Sequence, residues 1–215
     1  VPFAGCVHVM TAQVIPRMKI LHINPDHPFT PLYTLMLDAF SAQHSHTVYV
    51  PLAVGRKLPE RYSPDPSRVI HSMDYRQPHR VFYWWKTRKI LKSLVRQMDV
   101  QSFDLVHAHF LFSSGGVAYL LRKRFGLRYV VSVQNTDVNI FLKYGFHLRK
   151  SAVRILQNAE RVIFPNPAYF RLVIHRYVPD KVRTSVERRS EVIPFGIDSF
   201  WLARANERAR RVGKE

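Results

Sequence analysis

Two histidines set two residues apart, His107 and His109, run straight into a Ser113-Ser114-Gly115-Gly116 turn within DLVHAHFLFSSGGVAYLL (104–121). Imidazoles at this spacing could ligate a metal, serve a nucleophilic serine as base, or line a ligand pocket. A metal site needs a third ligand and usually a fourth. Asp137 or His27 could be recruited, but no HExxH-type spacing accompanies them, so no metal is expected. Neither serine lies in a GxSxG elbow, which argues against a Ser-His hydrolase. On a strand the two-residue period puts Leu105, His107 and His109 on one face. His107 reads as a strand residue satisfied within the fold, and His109, nearer the carboxyl edge, as the functional histidine facing a cleft. The Ser-Ser-Gly-Gly turn lacks the Gly-Lys-Ser/Thr ending of a P-loop. It reads as a helix cap whose glycines, Gly115 first, let a ligand approach N–H groups at the positive helix end.

A second polar cluster stands in SVQNTDVN (132–139), where Gln134, Asn135, Thr136 and Asp137 follow directly on a β-branched strand. Consecutive donors and acceptors suit a polyhydroxylated ligand such as a sugar. An Asx-rich turn capping the next helix is the alternative use of the same residues.

Both clusters need a scaffold, and the hydrophobic pattern supplies one. Strands are predicted at 19–25, 46–53, 69–73, 103–110, 128–135, 161–166 and 190–196, and helices at 32–43, 80–99, 114–126, 148–159 and 167–178. Strands alternating with helices of this length imply βαβ units. The fold class is therefore α/β, a doubly wound parallel sheet of Rossmann-like type. In such sheets ligands bind outside the carboxyl ends of the strands. The residues there are polar: Asn24, Asp26 and His27 after the first strand, His109 after the fourth, and Gln134 to Asp137 after the fifth.

The 215 residues contain 33 Lys and Arg against 15 Asp and Glu, a formal +18. That field favours anionic partners such as phosphorylated substrates, acidic lipids or nucleic acid. No nucleic-acid-binding signature accompanies it, and no nucleic acid is expected. The single cysteine, Cys6, excludes an intramolecular disulfide, and no CxxC zinc framework is present. No apolar run approaches the ~20 residues that span a bilayer. Residues 1–17 lack a basic segment ahead of their apolar part and read as a leader outside the fold, with Met18 as the natural start.

The ordered segments MKILHIN, FDLVHAHF…GG, VVSVQNTDVN, NAERVIFPNPAY and VIPFGID resemble the N-terminal domain of GT4-type glycosyltransferases, across residues 18–202. The resemblance implies half of a GT-B fold: residues 18–198 as an acceptor-side domain and 199–215 as the start of an interdomain linker. The nucleotide-sugar donor would bind mainly to a second domain, which is absent from this chain, and no other cofactor is implied. The implied enzyme is a retaining, hexosyltransferase-like transferase that moves a sugar to a glycan or lipid-linked acceptor in surface polysaccharide synthesis. His107–His109 match the family's HAH segment, Gln134–Asp137 its HGTD-like segment, and Ile193–Asp198 its IPNGID hinge. By that match His109 and Asp137 are the candidate catalytic groups, Gln134, Asn135 and Thr136 bind substrate, and Asn24, Asp26 and His27 lie on the acceptor side. Gln134 replaces the usual histidine, Phe195 replaces the usual asparagine, and NPDHPFTPLY lacks the frequent glycine pair.

The helix predicted over 80–99 interleaves Trp84 and Trp85 with Lys86, Arg88 and Lys89. These are the candidate membrane contacts, because a basic amphipathic helix can lie on anionic lipid. With the family resemblance, whose members act on lipid-linked acceptors at the inner membrane face, they imply a cytoplasmic protein, peripheral on that face. A surface helix whose aromatics pack on the sheet is the other use of the same residues. A non-catalytic α/β module that docks on a membrane or a partner is the alternative reading.

Overall fold

The computed structural model describes residues 16–76 and 82–196. Leader residues 1–15, the hinge residues Ile197 and Asp198, and the expected linker 199–215 lie outside that range. The first strand, β1 (Lys19–Ile23), leads through a 3-10 turn to helix α1 (Leu32–Phe40) and then to β2 (Ser45–Ala53) and β3 (Val69–Tyr75). Helix α2 (Tyr83–Gln97) precedes β4 (Leu105–Ala108), followed by α3 (Gly115–Phe125), β5 (Tyr129–Ser132) and a π-helical turn over Asp137–Leu142. Then come α4 (Arg149–Asn158), β6 (Arg161–Phe164), α5 (Pro167–Tyr177), α6 (Asp180–Glu187) and β7 (Ser190–Val192).

Among the described residues the strands form one sheet in the order β3-β2-β1-β4-β5-β6-β7, every neighbouring pair parallel. This is the expected doubly wound sheet. The direction of winding reverses between β1 and β4, and that switch point opens the crevice where such folds bind ligands.

Leu21, Ile23, Tyr49, Val106, Ala108, Tyr129, Val131, Val162 and Phe164 join one buried cluster with apolar residues of α2 to α6. A smaller cluster, Val48, Val50 and Leu52 with Phe29 and Leu37, lies under α1. Because strand side chains alternate in direction, the residues between the first set point to the α1 side. His22, between Leu21 and Ile23, is one of them, and so is His107, between Val106 and Ala108.

The helix ends follow local chemistry. Gly126 adopts φ 74° and returns its N–H to Arg122 O at 2.9 Å, closing α3 in the left-handed cap that favours glycine. Pro167 opens α5 while Asn166 Oδ1 accepts the Tyr169 N–H at 2.8 Å. The expected ends of the last strand and of the first helix need correction, and one helix is additional. The last strand stops at Val192 instead of Gly196, since its neighbour β6 ends at Phe164, whose carbonyl accepts the Ile193 N–H at 2.9 Å as the last bond of the ladder. Helix α1 ends at Phe40 instead of Gln43, and Ser41 Oγ turns back to Leu37 O at 2.8 Å. Helix α6 lacks a sequence signal of its own, because Val186 is its one buried side chain.

Candidate functional site

The carboxyl ends of β4 and β5 are held together by one carboxylate. Asp137 is fully buried, and its Oδ2 accepts the N–H groups of Leu111 at 2.8 Å and Gln134 at 2.9 Å. Its Oδ1 accepts the Phe112 N–H at 3.1 Å. Burial raises the Asp137 pKa to about 6, against the three N–H groups that favour the anion. Asp137 therefore fixes the two loops relative to each other, and its oxygens are occupied by backbone. The residues it positions are the open ones: Gln134 is half-buried, and Asn135 and Thr136 are exposed. Asn135 Oδ1 accepts the Tyr169 hydroxyl at 2.9 Å and also a bond from Asn139 Nδ2, so α5 helps to set its orientation.

The Ser-Ser-Gly-Gly turn differs from the expected ligand cradle. Ser114 stands at the N-cap of α3, but its Oγ accepts the Phe110 N–H at 3.0 Å and bonds Phe110 O at 3.1 Å instead of capping the helix. The Gly115 N–H is taken by Phe110 O at 2.8 Å. A Cβ on Gly115 would lie 3.0 Å from Ile155 Cγ2, and one on Gly116 would lie 2.3 Å from the Tyr83 hydroxyl oxygen. What these glycines allow to come close is protein: α4 and the sheet at Gly115, and α2 at Gly116.

The histidines are also arranged differently. His109 is 3% exposed, while His107 is the more accessible of the two. The chain leaves the sheet after Ala108, so the His109 ring lies beneath the crevice, against the edge of the Tyr33 ring. Its Nε2 is 3.0 Å from His22 Nδ1, and His22 Nε2 is 2.9 Å from His46 Nδ1. His107 stacks on His109 at 4.0 Å between ring centroids, and its Nε2 lies 2.9 Å from Ser132 Oγ. Burial keeps these rings neutral at physiological pH. It lowers the His107 pKa to about 4, and for His22 and His109 the neighbouring histidines depress it further. Sequence reasoning misses His22 because it sits inside an apolar strand. The parallel register that pairs it with His107 is what brings it here.

On the β1 side, Asn24 is buried and its Oδ1 accepts the Asp26 N–H at 3.0 Å. Its Nδ2 is buried without a hydrogen-bond partner. Asp26 is exposed. His27 is buried, with Nδ1 at 2.7 Å from the Tyr62 hydroxyl, which in turn lies 3.1 Å from His71 Nε2. His27 and Tyr62 line a cavity of about 480 Å³ between α1 and the β2–β3 loop, together with Asp38, His46, Arg61 and Arg68. The structure thus gathers Asn24, Asp26, His109 and Gln134 to Thr136 around the switch point. It leaves Gly115 inside the packing.

Helix α2 buries Tyr83, Thr87, Ile90, Leu91 and Leu94. Trp84 turns partly inward onto Tyr83 and Tyr119, and the Lys86 ammonium lies over the Tyr75 ring. Trp85, Arg88, Lys89, Lys92 and Arg96 form the exposed stripe, with the Lys89 ammonium 4.1 Å from the Trp85 ring centroid.

A family model described as a glycosyl transferase 4-like domain matches residues 32–186, from α1 into α6. The chain belongs to this family. Over 136 residues it is 27% identical to the teichuronic acid biosynthesis glycosyltransferase TuaC of Bacillus subtilis. That alignment covers 63% of this chain and 31% of the relative, so the chain spans under a third of that protein's length. Two solved structures of a sucrose-phosphate synthase from Thermosynechococcus elongatus are similar in fold. One matches with TM-score 0.57 at 19% identity, covering 89% of this chain and 96% of that one. The other matches with TM-score 0.61 at 15% identity, covering 85% and 49%. In this glycosyl transferase 4-like domain, the matched segment contains the β4 and β5 loop ends that Asp137 joins.

Proposed function

We propose that this chain is the acceptor-binding part of a retaining glycosyltransferase that moves a sugar from a nucleotide sugar to a glycan or lipid-linked acceptor in surface polysaccharide synthesis. The observation that carries the reading is the polar ledge Gln134-Asn135-Thr136 at the switch-point crevice, held by the buried Asp137 in a chain of this family. Side chains offering both donors and acceptors suit sugar hydroxyls. Asp137 and His109 act as positioning residues beneath that ledge, since neither presents a free polar edge to the crevice. Retaining transfer then rests on orientation of the acceptor and on stabilisation of the departing phosphate by the donor-binding part. The likeness to a teichuronic acid biosynthesis enzyme and the +18 charge both support an acidic glycan as acceptor. Nucleotide sugars are cytoplasmic metabolites, so the reading places the protein in the cytoplasm, peripheral at the inner membrane face.

The test is a calorimetric titration of the chain with hexuronate-containing oligosaccharides and, separately, with nucleotide sugars. The oligosaccharide should bind, and Gln134→Ala and Asn135→Ala should each weaken it by about five- to tenfold, the loss of one hydrogen bond of about 1 kcal/mol. Binding of nucleotide sugar alone, or acceptor binding indifferent to both substitutions, would overturn the assignment. The exposed stripe of α2 favours a second reading, a membrane-docking module without transfer. It predicts vesicle binding with no affinity for either sugar ligand.

A further inference from the structure

In the sheet β1 and β4 run side by side with His22 level with His107. His109, two residues on, falls on the same face. One ring nitrogen from each of the three lies within 4.8 Å of the others. Three imidazoles from two adjacent strands thus converge on a single point below the crevice.

We propose that His22, His107 and His109 bind one late first-row transition-metal ion of the Zn2+, Co2+ and Ni2+ class. Imidazole nitrogens suit these ions, whereas Mg2+ and Ca2+ take oxygen ligands. A tetrahedral ion with metal–nitrogen bonds of about 2.0–2.1 Å sets its ligand nitrogens about 3.4 Å apart. His22 Nδ1 and His109 Nε2 are already 3.0 Å apart. The ligating nitrogen of His107 lies within 4.8 Å of both, so it has to close in by at most about 1.4 Å.

The surroundings are those a metal ligand needs. A ligating imidazole is oriented by the hydrogen bond its other nitrogen makes. His22 Nε2 is held by His46 Nδ1 at 2.9 Å, which leaves Nδ1 turned toward the ion. Ser132 Oγ anchors the third ring at His107 Nε2, and the edge of Tyr33 limits the swing of His109. Burial keeps the rings in the neutral form that ligates. The partial exposure of His107 gives the ion a way in. Bound there, the ion would clamp β1 to β4 directly beneath Asn24 and the His109–Ser114 turn, replacing the His22–His109 hydrogen bond with two coordinate bonds.

The experiment uses the 215-residue chain freed of metal by a chelator. Titration with Co2+ should give the visible absorption of a four- or five-coordinate site, saturating at one ion per chain and bleached by Zn2+. His22→Gln and His109→Gln should each lower Co2+ affinity by more than about tenfold, because loss of a mere outer-shell partner of a ligand already costs about that much. His147→Gln and His175→Gln, both at exposed positions, should leave it unchanged. Since a substitution in the cluster could also unsettle the sheet, the unsubstituted chain gives the second readout. On addition of Zn2+ the imidazole NMR signals of His22, His107 and His109 should shift, and those of His147 and His175 should stay. Shifts confined to exposed histidines, retention of the Co2+ spectrum in both cluster variants, or no response at millimolar ion would each overturn the proposal.

Discussion

A carboxylate that accepts three backbone N–H groups in the interior is stabilised by those bonds and destabilised by the loss of water. At Asp137 burial prevails, and its pKa stands at about 6. The linkage sign follows. In the unfolded chain an aspartate titrates near 3.9. Between about pH 4 and pH 6 the folded state holds a proton that the unfolded state has released, so this group's contribution to stability falls as pH rises through that window. Above it the contribution is level. The replacement Asp137→Asn cannot titrate, and its NH2 group meets donors at one or more of Leu111, Phe112 and Gln134. It should therefore cost about 2 kcal/mol at pH 7, the penalty of an unsatisfied buried group, and lower Tm by several degrees. Denaturant unfolding of both proteins from pH 4 to pH 7.5 checks this. The stability advantage of the parent over the Asp137→Asn variant should shrink up to about pH 6.5 and then stay constant. An advantage that grew with pH would reverse the assigned balance of burial against hydrogen bonding. The polar run around Asp137 was legible in the sequence, because four such residues after a β-branched strand are unusual. Its partners were not, since Leu111 and Phe112 lie some 25 residues upstream and present only backbone. His22 was hidden for a similar reason: its environment is made by strand register, which no local window contains.

At the scale of elements, the contact between α2 and α3 rests on the absence of a side chain at Gly116. A Cβ there would lie 2.3 Å from the hydroxyl oxygen of Tyr83 and 3.0 Å from its Cζ. Tyr83 is buried at the start of α2 and packs edge-on against Trp84 and Phe112. Its ring cannot move aside without disturbing the helix that bears the basic stripe. Gly116→Ala gains about 1 kcal/mol in helix propensity. Overpacking of a filled core costs about 1–3 kcal/mol. The net expectation is a loss of about 1 kcal/mol, whereas Gly116→Ala combined with Tyr83→Phe should recover most of it, because the clashing oxygen is removed. Thermal melts of the single and double variants decide the matter, and a single variant as stable as the parent would show that α2 can shift freely. The sequence predicted both helices nearly to their ends and assigned the glycine pair to ligand approach. That assignment failed because close approach of a helix and close approach of a ligand leave the same trace, a glycine at a helix start. Helix α6 was missed for the opposite reason, a buried face too thin to create a period.

For the whole molecule the question is whether +18 acts as a diffuse field or through one face. Arg88, Lys89, Lys92 and Arg96 share an exposed stripe with Trp85, which can enter the lipid interface while the cations meet headgroups. Each Lys or Arg near an anionic surface contributes about 1 kcal/mol, and the attraction decays over a Debye length of about 8 Å at physiological salt. Reversing two of them, Arg88→Glu with Lys92→Glu, should therefore lower partition onto vesicles containing anionic phospholipid by at least about thirtyfold. A control reversal of equal charge, Lys181→Glu in α6 with Arg188→Glu at its C-cap, changes the net charge identically on an element that packs against α4 and α5. If α2 is the docking face, co-sedimentation of the first variant should collapse while the second falls only slightly, and both should weaken further as salt is raised. Equal losses in the two variants would mean that the protein meets the membrane through its overall field, with no preferred orientation of the switch-point crevice toward a lipid-linked acceptor.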